Sequence, residues 1–314
     1  MSDRGRALLL HLALIAALIA AGFLLPAYHQ GNLARILVLA TYAIGYNLLF
    51  GYTGLLSLGH AMFFGAGLYG LGLAMQHGGL PALPAFVVGL LCAALLSAVV
   101  ALLALRTVGV AFMIVTLMFA QTAFLTVLYF GEWTRGDEGF VLQQATRQIG
   151  GLDLTNPDIR YFAALALFSA ALLITLKLVQ ARFGRVLIAI RENEERTRML
   201  GYDTMRHKFL AVVISGTLSG AAGAGYGLLF GYVGASFVSV QYSIFPLLWV
   251  LLGGAGTVIG PFVGALFMFY LIDYASGLTN AYMLVAGAAL VALTLFAPAG
   301  LMGEVRKRWA RWLP

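Results

Sequence analysis

Charge is scarce in this chain. Only 31 of its 314 residues are Lys, Arg, Asp or Glu, or 10%, against about 25% in a typical soluble domain. Apolar residues make up 61%, and mean hydropathy is +0.93. The solvent for such a chain is lipid, and its spans are helices of about 20 apolar residues. Cysteine is almost missing. Cys92 stands alone, so no intrachain disulfide can form, and inside a predicted span it reads as packing material. Lysine occurs three times, at Lys177, Lys208 and Lys307, never after glycine. The phosphate-cradling GxxxxGK[ST] loop is therefore absent. Acids are missing from the predicted spans except for Asp273, close to one end, where it reads as interfacial. His11 and His60 are the other ionisable groups well inside spans, and each reads as hydrogen-bonded packing. Ion-coupled carriers keep ionisable groups in the helical core, so an ion-driven secondary transporter fits poorly. No HExxH, CxxC, GxSxG or paired carboxylate occurs in the spans, so no catalytic residue and no metal site is expected. A pore driven by ATP hydrolysis elsewhere fits what remains.

Ten apolar segments are present, near 7–25, 35–51, 60–77, 84–105, 110–130, 161–179, 209–230, 244–259, 262–278 and 281–297. Several are short or glycine-interrupted. The expected fold is an all-α polytopic membrane protein of about 8–10 transmembrane helices. With the N-terminus inside, inner segments hold fifteen Lys and Arg, including Arg311 of the tail, and outer ones hold four: Arg35, Arg135, Arg147 and Arg160. That bias places both termini in the cytoplasm. Arg4 and Arg6 before an apolar run resemble a signal peptide. The run of 19 residues exceeds a signal core of about 7–15 residues, so a retained first helix is expected. The chain divides into residues 1–34 (basic N-terminus, first helix, outer loop), a transmembrane domain over 35–303, and a basic cytoplasmic tail over 304–314.

One charged island interrupts the apolar sequence. Residues 181–208 hold 11 of the 31 charged residues. Within this cytoplasmic loop, 180–208, NEERTRMLG predicts a short helix. Asn193 suits an N-cap, and Glu194 and Glu195 follow beside the positive end of the dipole. Arg196 and Arg198 come later, and Gly201 suits the residue after the C-cap. Arg191 and Glu192 precede it, and Met199 and Leu200 give an apolar edge. Two readings fit: an amphipathic helix on the membrane surface, or a rigid finger seated in a cytoplasmic motor. The missing motor favours the second.

Two segments are unsuited to plain spanning helices. In residues 46–70, Gly51, Gly54, Gly59, Gly65, Gly67 and Gly70 recur around Ser57 and His60. In residues 247–265, Gly253, Gly254, Gly256, Gly260, Pro261 and Gly264 recur, and Pro261 is expected to break or kink its helix. Paired interruptions in two halves mark a translocation route in some transporters; close helix packing is the other reading. ISGTLSGAAGAGYG at 214–227 reads as packing through small residues alone. The largest outer loop, 131–160, carries Glu132, Asp137 and Glu138. It is a solvated cap or a docking surface.

These segments together resemble a known family. YNLLFGYTGLLSLGHAMFFGAGLY is similar to the N-terminal hallmark of branched-chain amino acid ABC importer permeases of the LivM type. GRVLIAIRENEERTRMLGYD with KFLAVVISGTLSGAAGAGYG resembles that family's cytoplasmic loop and next helix. WVLLGGAGTVIGPFVGA and FAPAGLMG resemble its C-terminal motifs. The resemblance covers about residues 35–303. It implies a homologous second permease subunit, two cytoplasmic ATP-binding subunits that use ATP and Mg, a periplasmic solute-binding protein, and a place in the bacterial inner membrane. No cofactor on this chain and no nucleic acid partner is implied. Residues 185–203 become the coupling segment, centred on Arg191, Glu192, Asn193, Glu194 and Glu195. The outer acids become docking candidates for the binding protein. Related permeases serve urea, short amides or aromatic acids, and the generic walls here do not choose among these cargoes.

Overall fold

The computed structural model describes residues 3–310, 312 and 314; Arg311, counted with the basic tail, lies outside the described residues. Helix α1 (Asp3–Leu24) turns at Pro26 into α2 (Ala27–Asn47), which widens into a π-turn over Leu48–Tyr52. A non-helical stretch leads to α3 (His60–Gln76), followed by α4 (Ala82–Ala104) and α5 (Val110–Tyr129). A short α6 (Gly131–Thr134) opens the largest loop, where two-residue ribbons pair Phe140–Val141 with Tyr232–Val233 and Gln148–Ile149 with Leu152–Asp153. Then come α7 (Pro157–Gln180), α8 (Arg182–Glu192), α9 (Glu194–Met199), α10 (Thr204–Phe230), α11 (Val240–Gly253), α12 (Gly260–Leu278), α13 (Tyr282–Phe296) and α14 (Leu301–Arg308).

Among the described residues, seven helices are long and apolar enough to cross a membrane: α1, α2 with its π-turn, α4, α5, α7, α10 and α12. Helices α11 and α13 are apolar but shorter. The expected 8–10 spans thus resolve into seven full-length ones and shorter helices beside chain breaks. Helix α2 starts at Ala27, eight residues before the predicted segment. Arg35, read from sequence as a loop charge, therefore sits about 12 Å inside a spanning helix.

Helices α2 and α10 form the centre, and α1, α4 and α5 present most of their surface outward. Small residues put α10 there. A Cβ on Gly223 would strike the Phe64 carbonyl of α3, one on Gly220 would strike the Ala93 side chain of α4, and one on Gly216 would strike Ser97. Backbones therefore touch where side chains normally intervene. The packing reading of 214–227 agrees with this geometry. Helix α1 lies on α7, where the Tyr161 hydroxyl donates to the Leu18 carbonyl at 2.7 Å. Asn156 caps α7 by accepting from the Asp158 amide at 3.0 Å, with Pro157 in the first turn.

One expectation is corrected. Pro261 does not kink a helix: it sits in the first turn of α12, where its missing N–H has no intrahelical partner to lose. The break precedes it, at residues 254–259, and the proline inside a helix is Pro246 of α11. Cys92 is exposed on one side of α4, and its side chain lies against Gly70 of α3. Asp273, near the end of α12, accepts from the Tyr28 hydroxyl at 2.8 and 2.9 Å. His11 is buried, with Nδ1 2.6 Å from the Ala7 carbonyl oxygen.

Gly223→Leu should destabilise the purified protein by about 1–3 kcal/mol or more, because the clash is with backbone. Gly287→Leu, where nothing lies within 4 Å of the added Cβ, should leave thermal unfolding in detergent unchanged. Equal melting curves for the two variants would refute backbone-to-backbone packing of α10 on α3.

Candidate coupling site and pathway segments

The charged island folds into two helices. The sequence marks only the second, and the first carries Arg191. Helix α8 buries Gly184, Val186, Leu187 and Ile190 and turns Arg182, Arg185 and Glu192 outward. It ends at Glu192, so Arg191 and Glu192 lie in its last turn. Helix α9 forms as its sequence predicts. Asn193 Oδ1 accepts from the Arg196 amide at 2.9 Å, Glu194 and Glu195 occupy the first turn, and Gly201 follows the end at φ +87°. Buried Thr197 donates to the Asn193 carbonyl at 2.9 Å. Glu194 ties α9 to α10 through Lys208 Nζ at 2.7 Å, with Arg198 at 3.5 Å. Partial burial raises the Glu194 carboxyl, but the hydrogen bond and charge of Lys208, then Thr204 and Arg198, outweigh it and hold the group below its ordinary range. That stabilisation is present at neutral pH and is lost only as pH falls through the lowered value. Glu195, Arg196 and Arg198 face solvent, and Met199 and Leu200 are 83% and 75% exposed.

Arg191 is where the island meets the helix breaks. Its guanidinium donates to the Gly51 carbonyl, which the π-turn leaves open. Its stem lies along Gly54, where a Cβ would come within 2.9 Å of Arg191 Cγ. The second break reaches the same place. Asn47, the last residue of α2, donates from Nδ2 to the Thr257 carbonyl at 2.9 Å and accepts at Oδ1 from the Gly256 amide at 3.0 Å. Arg306 of α14 donates to the Gly256 carbonyl at 2.9 Å. Gly254 has φ +115°, and a Cβ there would lie 2.7 Å from the Gly303 nitrogen, so this turn requires glycine. Clefts of about 680 and 370 Å³ adjoin Arg191; both also include Arg306, and the smaller includes Glu192.

The pathway candidates divide into two groups. Gly51, Gly54, Gly254 and Gly256 converge at the Arg191 junction. Gly253, Gly260 and Pro261 lie beside it, where α11 and α12 meet backbone to backbone. Ser57, Gly59 and His60 are buried elsewhere. Ser57 Oγ accepts from the Gly59 amide at 3.2 Å. Gly59 presses on the Thr116 carbonyl of α5. His60 Nε2 is 2.8 Å from Ser215 Oγ of α10, with its ring edge-on to Tyr46 and Phe63. Sequence reasoning missed Asn47, Lys208 and Arg306. Asn47 left a signal, a single amide at the end of an apolar run.

At the opposite end, Glu132, Asp137 and Glu138 are exposed. Glu132 lines a cleft of about 530 Å³ with His77, Trp133 and Arg135. Asp153 is held below the ordinary carboxylate range by the Thr155 amide and hydroxyl at 2.8 and 2.7 Å. Arg147 is pinned on the end of α10, donating to the Leu228 and Leu229 carbonyls at 2.8 and 2.6 Å.

A bundle of apolar helices, two of them broken at one end and both breaks tied there to a charged helical knob, defines a multi-pass membrane permease. Comparison makes the assignment specific. The chain belongs to the family of branched-chain amino acid transport system permease components, whose model matches residues 30–294. Its relatives include the high-affinity branched-chain amino acid transport system permease protein LivM of Escherichia coli K12. That protein is 28% identical over 285 residues, with 84% of this chain and 67% of that protein covered. The LivM protein of Salmonella typhimurium is 29% identical over 289 residues, at the same coverages. The permease protein LivH of E. coli K12 is 28% identical over 148 residues, covering 45% of this chain and 46% of that one. The family is one of permease components, not of catalysts.

Asn47→Leu should leave the Gly256 N–H and the Thr257 carbonyl buried and unpaired, at about 1–3 kcal/mol for each. Thermal unfolding followed by tryptophan fluorescence should show a clear fall in midpoint. An unchanged midpoint would mean that the two breaks are held together without this amide.

Proposed function

We propose that this chain is the transmembrane subunit of an ABC importer for branched-chain or related hydrophobic amino acids, resident in the bacterial inner membrane with both termini in the cytoplasm. Its partners are a homologous second permease subunit, two cytoplasmic ATP-binding subunits that use ATP and Mg, and a periplasmic solute-binding protein. The chain itself binds no cofactor. The family supports the importer reading, and the 15-to-4 distribution of basic residues supports the orientation. The observation that carries the mechanism is the Arg191 contact with Gly51, which joins the charged knob to a break in a spanning helix.

In this mechanism the exposed face of α9, with Glu195, Arg196, Met199 and Leu200, seats in the ATP-binding subunit. Closure of that subunit on ATP pushes α9. Asn193 joins α9 directly to α8, and Lys208 joins it to α10 through Glu194. The push therefore moves Arg191, and with it the residues around Gly51, Gly54 and Gly256. Rearrangement there opens or closes the route between paired permease subunits. Glu132, Asp137 and Glu138, at the far end, receive the loaded binding protein.

Glu195→Lys should lower uptake by the reconstituted transporter several-fold while membrane insertion stays normal. The double variant with Glu194→Lys should fall further, since Glu194 also holds Lys208. Wild-type uptake by the double variant would remove the coupling role of α9. Gly254→Leu should abolish flux, because φ +115° and the Gly303 backbone both reject a side chain; full activity would place this turn outside the moving parts. Concentration of leucine by the purified chain alone, without ATP-binding subunits, would overturn the importer reading itself.

A further inference from the structure

Three arginines gather at the end of the molecule opposite the coupling site; Asp153 attracts Arg147, and among the described residues no carboxylate forms a salt bridge with Arg35 or Arg160. Arg35 lies two turns inside α2, Arg160 in the first turn of α7, and Arg147 in the loop before α7. The guanidinium carbons of Arg35 and Arg160 lie 5.4 and 5.6 Å from the ring centroid of Phe230, at the end of α10. Arg147 repels Arg160, and Arg160 repels Arg35. Arg147 spends its donors on carbonyls of α10, which leaves Arg35 and Arg160 as the pair with hydrogen-bonding capacity to spare. Arg160 Nε is buried and without a hydrogen-bond partner. So is Asn32 Nδ2, one turn before Arg35 on the same side of α2. Arg35 is exposed and Arg160 half-buried; a buried donor without a protein partner is costly, and a ligand or water satisfies it.

The surroundings are aromatic. From Phe230, rings follow in contact through Tyr226 at 4.7 Å, Phe237 at 4.8 Å, Tyr242 at 5.2 Å and Phe245 at 5.8 Å. All five are half-buried. They form a continuous strip leading inward from the cations. A zwitterion with an apolar side chain needs donors for its carboxylate and an apolar wall beside it, and guanidinium is the side chain best shaped for carboxylate.

We propose that Arg35 and Arg160, with Asn32, form a carboxylate-binding station for the transported solute, and that the aromatic strip takes its apolar part. The cargo is then an amino acid or another carboxylic acid, and urea and neutral amides are excluded. This inference rests on the importer reading above.

The test uses the complete transporter in proteoliposomes with its binding protein and L-leucine, and reads leucine moved per ATP hydrolysed. Charge-assisted hydrogen bonds of this kind are worth enough that Arg35→Gln with Arg160→Gln should lower the ratio about tenfold or more. Stimulation of ATP hydrolysis by the binding protein should stay within about twofold. Arg35→Lys with Arg160→Lys, which keeps the charge, should recover much of the loss. Should the Gln variants fail to assemble, a diazirine analogue of leucine on the wild-type complex should label the peptide containing Tyr226 and Phe230. Excess leucine should protect that peptide, and excess urea should not. An unchanged leucine-to-ATP ratio in the double Gln variant would overturn the station and leave the importer reading intact. A shift only in the binding-protein concentration for half-maximal ATP hydrolysis would overturn it too, since the cations would then serve docking. Wild-type transporter that carries urea and no leucine would instead defeat the amino acid reading itself.

Discussion

Backbone groups freed at the ends of broken helices must find partners, and the arrangement around Arg191 follows from how they do so. The π-turn after α2 opens the carbonyl of Gly51, and the break after α11 opens the amide and carbonyl of Gly256 and the carbonyl of Thr257. These residues are themselves buried beside the clefts at Arg191, and each backbone group left bare is expensive. Three side chains meet the demand: Arg191 at Gly51, Asn47 at Gly256 and Thr257, and Arg306 at Gly256. The same bonds fix where the two breaks sit relative to each other and to the charged knob.

This arrangement makes a mechanical link out of a solvation problem. A packed apolar contact between a surface helix and a spanning helix could slide. A guanidinium on a backbone carbonyl has a direction and a short range, so displacement of α8 either carries Gly51 with it or breaks the bond. Helices α2 and α10, held backbone to backbone against their neighbours by glycine, supply the stiff body against which such movement has meaning. The breaks themselves are the non-helical residues 53–59 and 254–259.

Local features were legible in the sequence. The Asn193 cap and the glycine stop at Gly201 depend on residues a few positions apart, and α9 formed as read. The small-residue spacing of α10 was legible because the i, i+3 and i+4 pattern is itself the packing code. Long-range pairings were not. Asn47 meets Thr257 across 210 residues, and a lone amide in an apolar run names no partner. Arg35 was assigned to a loop because the apolar run that follows it outweighs the mixed residues before it, although those residues are helical too. Pro261 was read as a kink because its ring disrupts a helix interior, but at a first turn the same ring is harmless. Helix α8 went unread since its charges pointed to a loop, whereas its apolar residues fall on one side and meet the bundle.

The spacing of these partners along the chain sets an order of assembly. Gly51 waits 140 residues for Arg191, and Gly256 waits 50 for Arg306. During synthesis the first break therefore enters the bilayer with its carbonyl unanswered and stays so until the charged island has been made. The second is completed only when α14 has been made. A chain halted anywhere before α14 lacks Arg306, and the Gly256 carbonyl is then without that donor.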